Sequence, residues 1–419
     1  MLRNVVLITT AFPSDSVTEE VFVTPEVKAL SREFDRVIIV PMLLIGEVAD
    51  INLPNVTVDY TIARHLYSRF KPSKLPYLLS PYLLGKYRSI ARESDSLKRF
   101  IDKSLFCVNV ATHRKMLKQV ARRWNLDPES TVYYTFWFDY ATAALSEMRC
   151  TFISRAHGYD IYDTRYGKYR LGTVRDLTLS RITALYPVSQ AGLDYIDNLY
   201  PGHRDKMHLR LLGSVKSDRQ FITRCHSSAD NAVTIFSTAR VSPEKRVLSN
   251  LEFVKSLALS HPAIAVKWIH AGDGSQMEEL RHKCNSGILP ANLEIDLKGK
   301  LSNNEIHRIY HEEIIDWTLL LSESEGSPIT ICESFSYGVP VIATKVGGVP
   351  DMFTADTGLL VSPDASPEEI VREVTPYLGD DTTMTRMKQA ACERWENRFD
   401  GETLRREFAK EVAGLIKKP

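Results

Sequence analysis

Short apolar runs alternate with stretches of helical periodicity along most of the chain. Val5–Thr9 (VVLIT) reads as a buried strand, because a run this apolar has no polar face to turn to water. A polar loop and a helix near Thr24–Phe34 follow, then a second buried strand at Val37–Pro41 (VIIVP). Strand, helix and strand in that order form a βαβ unit, which predicts a parallel sheet covered by helices on both faces. The pattern resumes with strands at Val132–Thr135, Phe152–Arg155 and Ala184–Pro187.

The polar stretch Lys216–Asn231 (KSDRQFITRCHSSADN) reads as a linker between domains. A second series then begins with a strand at Val233–Ser237 and a helix near Arg246–Ser260. It continues with strands at Ala265–Ala271, Leu293–Leu297, Trp317–Leu321 and Pro340–Thr344. The last segment, Thr403–Lys418, carries Leu404, Phe408, Val412 and Leu415 at helical spacing, the pattern of an amphipathic helix packed on the body. The expected class is α/β. Two Rossmann-like, doubly wound domains over residues 1–215 and 216–400 face a central cleft, and a terminal helix covers 401–419. Ligands of such sheets bind outside the carboxyl ends of the strands.

Composition narrows the classes. The 53 Lys+Arg and 52 Asp+Glu leave a net charge of +1, so the chain as a whole is no general polyanion binder, and no nucleic-acid recognition motif is present. A hydrophobic fraction of 44% and a charged fraction of 25% match an ordinary globular protein. Six widely scattered cysteines form no C-x-x-C pair, which argues against structural zinc and fits a reducing compartment. The apolar start is too short for a signal segment, and no run reaches the ~18 apolar residues of a membrane span. A cytoplasmic location is the expectation.

Ser322–Phe353 (SESEGSPITICESFSYGVPVIATKVGGVPDMF) is the most informative stretch. Ser327-Pro328 reads as a helix start, with Ser as cap and Pro at the first helical position. Glu325 then lies in the loop above the helix and Glu333 on its second turn. Free N–H groups at a helix start receive phosphate or sugar oxygens, and carboxylates accept from hydroxyls, so one ligand carrying both groups fits: a nucleotide sugar.

The spacing Glu325-x7-Glu333 followed by SYGVPVIATKVGG resembles the donor-site signature of retaining glycosyltransferases of family four, which have the GT-B fold. Three upstream pieces fall in the family's order: Ser237–Lys245 (STARVSPEK), Ile269–Gly274 (IHAGDG) and Asn292–Lys300 (NLEIDLKGK). The resemblance implies that Arg240 and Lys245 clamp the donor diphosphate, that Glu333 accepts from the ribose hydroxyls and that Glu325 stands near the transferred sugar. It extends the donor site to Gly274, Lys300, Gly326, Ser327, Pro328 and Ile329. In the first half, Ser154–Asp160 (SRAHGYD) resembles a strand end whose histidine, here His157, reaches the donor sugar or acceptor, and Ser189 matches a further strand-loop serine. Glu325, His157, Arg240 and Lys245 are the expected catalytic set. Without the resemblance, each of these residues also reads as an ordinary solvated or structural group.

One departure from the family concerns the loop after the first strand, Thr10–Glu20, which lacks the family's glycines. Its acids Asp15, Glu19 and Glu20 are therefore assigned to acceptor hydroxyls, with Arg155, Tyr159 and Asp160. Trp137, in the aromatic run YYTFWFDY, reads as core or acceptor wall. No metal and no cofactor are expected, the clamp being cationic; the substrate is a UDP- or GDP-linked sugar.

Thr61–Leu126 has 15 Lys+Arg against 3 Asp+Glu, interleaved with Tyr67, Phe70, Tyr87 and the run LPYLLSPYLL. Such a mixture fits a surface lying on anionic lipid, and equally a solvated helical face over a core stripe. The reading that results is a hexosyltransferase on the inner face of the cell membrane. It extends a surface polysaccharide or lipid-linked glycan, with retention through front-face attack. A nucleotide-sugar epimerase of the same fold and a non-catalytic nucleotide-sugar-binding subunit are the alternatives.

Overall fold

The computed structural model describes residues 2–14, 19–66, 80–162, 170–215, 226–286 and 288–416. Two compact units divide them: residues up to Leu211 together with those from Thr403 onward, and Leu212–Glu402.

The first unit is built on a parallel six-stranded sheet: β1 (Asn4–Thr9), β2 (Arg36–Pro41), β3 (Val56–Val58), β4 (Thr131–Thr135), β5 (Thr151–Ala156) and β6 (Ala184–Pro187). Its order is β3-β2-β1-β4-β5-β6, so the winding reverses between β1 and β4. Alternation within β1 shows why the strand had to be apolar throughout. Val6 and Ile8 enter one core with Ile38 and Val40, while Val5 and Leu7 enter the other with Val37 and Ile39. The terminal helix, Gly401–Ala413, completes the second of these cores with Phe408, Ala409 and Val412.

The second unit repeats the plan with β7 (Ala232–Thr238), β8 (Ala265–Ala271), β9 (Leu293–Gly299), β10 (Trp317–Leu320), β11 (Val341–Thr344) and β12 (Gly358–Val361). Its order, β12-β11-β10-β7-β8-β9, places the reversal between β7 and β10. Trp268, Trp317 and Ile342 fill the core on one face; Phe236, Ile269 and Tyr310 fill the other. A crevice at the point of reversal is where open α/β sheets hold their ligands.

Two strands were absent from the expected series. β3 has three half-buried or exposed residues, β12 has four residues of which two are buried, and both are edge strands with no long apolar run to announce them. The first helix starts at Glu20, ahead of the expected Thr24, and carries Pro25 inside it. Most of the segment read as a linker, residues 216–225, lies outside the described residues, and so do Asp15, Tyr67, Phe70 and the first half of LPYLLSPYLL. The five described cysteines are free thiols, and no described helix is long and apolar enough to cross a membrane.

Candidate active site

In the second unit the loops after β7 and β10 meet at the reversal point. The loop after β7 ends in a single turn, Pro243–Lys245, and Arg246 then takes a left-handed backbone (φ 49°) to launch the helix Val247–Ser260. From that turn the Lys245 Nζ donates to Glu325 Oε1 at 2.6 Å. Two further bonds hold the loops together: the Glu323 N–H to the Glu244 carbonyl at 2.9 Å, and Thr330 Oγ1 to the Thr238 carbonyl at 3.1 Å. Arg240, on the same loop, is 71% exposed and pairs with Glu244 at 3.1 Å, an arrangement that leaves the guanidinium in solvent.

The helix after β10 runs Ile329–Ser336 with Pro328 as its cap residue, one position later than the expected Ser327. Pro328 has φ −68° but an extended ψ of 119°, so the helical turn begins only after it, and no side chain caps this terminus. Gly326 and Ser327 line the approach, half-buried. Glu333 is buried on the second turn, and its carboxylate has no hydrogen-bond partner among the described residues. Burial pushes its pKa up to about 7. An acid in this position gains most from a ligand hydroxyl that donates to it.

Two glycines allow these loops to close up. Gly347 has φ 51°, and a β-carbon on it would lie 1.9 Å from the Glu325 carbonyl oxygen. The predicted Gly274 is as tight: a β-carbon there would lie 2.5 Å from the Val241 carbonyl oxygen, so it lets the loop after β8 press on the loop after β7. Lys300 is exposed beyond β9 at the sheet edge, with β8 separating that strand from β7. Beneath the site His270 is fully buried, its Nδ1 bonded to Ser237 Oγ at 2.8 Å, and burial lowers its pKa to about 4.

In the first unit His157 follows β5 and is wedged between the rings of Phe136 (4.9 Å) and Trp137 (4.4 Å). Both its ring nitrogens are buried and neither makes a hydrogen bond; Nδ1 lies 3.7 Å from Asp160 Oδ2, whereas Nε2 faces no recorded partner. Tyr159 is exposed two residues on, and Glu20 is half-buried in the wall of a cavity of about 360 Å³ with Phe12, Lys28 and Leu53.

Three residues assigned to the acceptor are instead structural. Glu19 is buried, and its carboxylate accepts from the N–H groups of Thr10, Ala11 and Phe12 (2.9–3.1 Å) and from Trp137 Nε1 (2.7 Å). It pins the glycine-free loop after β1 to the loop after β4. Asp160 is buried and accepts from the N–H groups of His157 (2.6 Å) and Phe138 (2.7 Å), which fixes the backbone that presents the histidine.

Arg155, 1% exposed, makes a fork to Glu26 at 3.0 and 3.1 Å. It also donates to Tyr134 Oη and the Arg210 carbonyl and lies 4.1 Å over the Phe408 ring. Each of the three guanidinium nitrogens makes a hydrogen bond inside the unit. Glu26 was missed from the sequence, although it was visible there as a lone acid among Val23, Val27 and Leu30 at helical spacing. Ser189 also has a local task, accepting from the Gly192 N–H at 3.1 Å as a helix cap. Among the described residues no cluster of His, Cys, Asp or Glu is placed to hold a metal ion.

Comparison with known proteins agrees with this geometry. Residues 218–394 match the family Glycosyl transferases group 1. The sulfoquinovosyl transferase SQD2 of Arabidopsis thaliana is 31% identical over 166 residues, 39% of this chain and 30% of that protein. The putative teichuronic acid biosynthesis glycosyltransferase TuaC of Bacillus subtilis is 26% identical over 168 residues, 40% of this chain and 38% of its own length. The chain thus matches about a third of the length of these curated relatives. Along nearly its whole length it superposes on a crystal structure of Anabaena HepE in complex with UDP. That likeness covers 99% of this chain and 100% of HepE, with a TM-score of 0.61 and 14% identity. The two units therefore have the α/β fold of the GT-B glycosyltransferases, and residues 218–394 match the glycosyl transferases group 1 family.

Proposed function

We propose that the protein is a retaining glycosyltransferase that moves a sugar from UDP-sugar to a glycan or lipid-linked saccharide in surface-polysaccharide synthesis. The observation that carries this reading is the Lys245–Glu325 pair at the reversal point of the second sheet, with the unpartnered, buried Glu333 one helix turn beyond. A diphosphate competes for the Lys245 ammonium and frees Glu325 for sugar hydroxyls. Glu333 accepts from the ribose. Arg240, held only by its exposed pair with Glu244, closes on the diphosphate and offsets the charge that grows as the sugar leaves. His157 Nε2, which makes no hydrogen bond, is offered to the sugar, while Nδ1 faces Asp160. The chain in this reading supplies positioning and charge stabilisation, and no protein nucleophile is required.

UDP is preferred to GDP as the carrier because HepE, whose fold this chain shares, was crystallised with UDP. The likeness to TuaC supports a surface-polysaccharide product. A lipid-linked acceptor places the enzyme at the cytoplasmic face of a membrane, with the basic stretch 61–126 toward anionic lipid. Thermal unfolding of the purified protein with UDP, GDP and a panel of UDP-sugars tests the donor: a ligand at ~100 times its Kd stabilises by about 2.7 kcal/mol. Stabilisation by UDP-sugars, together with transfer to a saccharide and retention by NMR, is the expected result. Indifference to every nucleotide diphosphate sinks the proposal.

A further inference from the structure

The helix Leu97–Arg123 has 27 residues, about 40 Å at 1.5 Å per residue, whereas β4, which it precedes, has five. Its C-terminal end lies at the amino edge of the sheet, where Arg36, the first residue of β2, stacks 5.7 Å from the Trp124 ring. The helix runs back along the sheet, so its first turns extend past the carboxyl edge. There Glu93 accepts from the N–H groups of Gly172 (2.7 Å) and Thr173 (3.1 Å), tying this end to the start of the helix Gly172–Arg181.

Those projecting turns carry an apolar stripe. Leu97, Ile101 and Leu105, spaced by four residues, are 75%, 47% and 48% exposed, and Leu84 on the adjacent helix Pro81–Arg92 is 51% exposed. A single exposed leucine needs no explanation, but a row of them on one helix face does. Around them Arg88, Arg92 and Lys98 are exposed and without an ion-pair partner among the described residues, and Lys118 and Arg122 carry the exposed basic face on toward the far end of the helix. Of the nearby acids, Asp95 pairs with Arg99, and Glu93 with Lys103 and the two N–H groups, while the half-buried Asp102 beside Ile101 makes no ion pair among the described residues.

We infer that this stripe, Leu97, Ile101 and Leu105 with its flanking cations, is a docking surface for anionic lipid bilayers. A second copy of the chain would set one cationic face against another. Single-stranded nucleic acid needs exposed rings for its bases, whereas here the exposed apolar groups are aliphatic and Tyr87 and Phe100 stack on each other. Leucines sinking among acyl chains, with lysine and arginine at the headgroup level, satisfy both halves of the pattern. The stripe lies toward the carboxyl edge of the first sheet, the edge that also carries His157. The inference deepens the lipid-linked acceptor reading and rests on it for its purpose, though not for its test.

The test is co-sedimentation of the full chain with vesicles of phosphatidylcholine plus phosphatidylglycerol, and of phosphatidylcholine alone. Binding to the anionic vesicles that weakens with salt is expected. The triple variant Leu97→Gln, Ile101→Gln, Leu105→Gln, which keeps every charge, should bind about tenfold or more weakly. Stabilisation by UDP, unchanged in the triple variant, reports that it is folded. Absence of binding by the wild type, or equal binding by the triple variant, overturns the inference. So does a wild-type dimer that the triple variant abolishes without any vesicle binding. Vesicle binding without UDP stabilisation keeps the surface and removes the transferase reading; the reverse result removes the surface alone.

Discussion

Lys245 and Glu325 face each other at 2.6 Å across two loops that are eighty residues apart in sequence. The pair joins the group proposed for the diphosphate to the group proposed for the sugar. Lys245→Ala leaves a buried carboxylate without its donor, while Glu325→Gln keeps a hydrogen bond and loses the charge. Both variants should lower kcat/KM by about 10²-fold or more. Lys245→Ala alone should also cost roughly 1.5–3 kcal/mol of stability. Steady-state kinetics beside thermal unfolding separates the two effects, and a fully active Lys245→Ala enzyme is incompatible with the clamp.

Arg240 gives the opposite split. Its side chain is 71% exposed and its i,i+4 pair with Glu244 is of the kind worth only ~0.3–0.5 kcal/mol. Arg240→Ala should therefore unfold at the wild-type temperature while turnover falls about tenfold to a hundredfold. Unchanged turnover would remove Arg240 from the site.

Two buried groups set opposing pH limits. Glu333 has a pKa raised to about 7 from 4.5, so its contribution is fully present below pH 4.5 and is lost as pH rises through 7. His270 has a pKa lowered to about 4 from 6.5, so its contribution is present above pH 6.5 and is lost as pH falls toward 4. Each limb amounts to roughly 3 kcal/mol. Glu333→Gln should flatten the alkaline limb of a stability–pH profile and leave the acid limb. Because ribose hydroxyls favour the ionised carboxylate, UDP affinity should rise with pH up to about 7 and then level, and the variant should lose that dependence. Calorimetric titration across this range checks both.

The Arg155–Glu26 fork is a matter of folding, not of chemistry at the site. Arg155→Met strands a buried carboxylate and should cost about 3–5 kcal/mol; adding Glu26→Leu should recover most of that. Chemical denaturation measures both. A mild single variant would return Arg155 to the candidates for acceptor binding.

Ten of the twelve described strands were legible, nine of them because each is an apolar run buried between helical layers, a local property, and the edge strand β9 through its Leu293, Ile295 and Leu297. β3 and β12 were not, since a short edge strand needs only one neighbour. In the second unit the proposed site residues Lys245, Glu325 and Glu333 could be named for a related reason: they sit at fixed offsets from strand ends and a helix start. In the first unit the same logic named residues whose polar atoms the fold already holds. Arg155 and Glu19 follow or flank strands as a binding residue would. What decides their fate is distant: Phe408 covers Arg155, and Trp137 meets Glu19. Adjacency to a strand end says which loop a residue occupies, but not whether the fold has already claimed its polar atoms.

The return of the terminal helix has a temporal meaning. Phe408, Ala409 and Val412 close a core whose strand residues, such as Val5 and Ile153, precede the second unit in sequence. A growing polypeptide emerges amino end first, so this face of the first sheet waits only partly covered, by the helix that bears Val23 and Val27, while the whole second unit is made. The domain begun earliest is the one finished last.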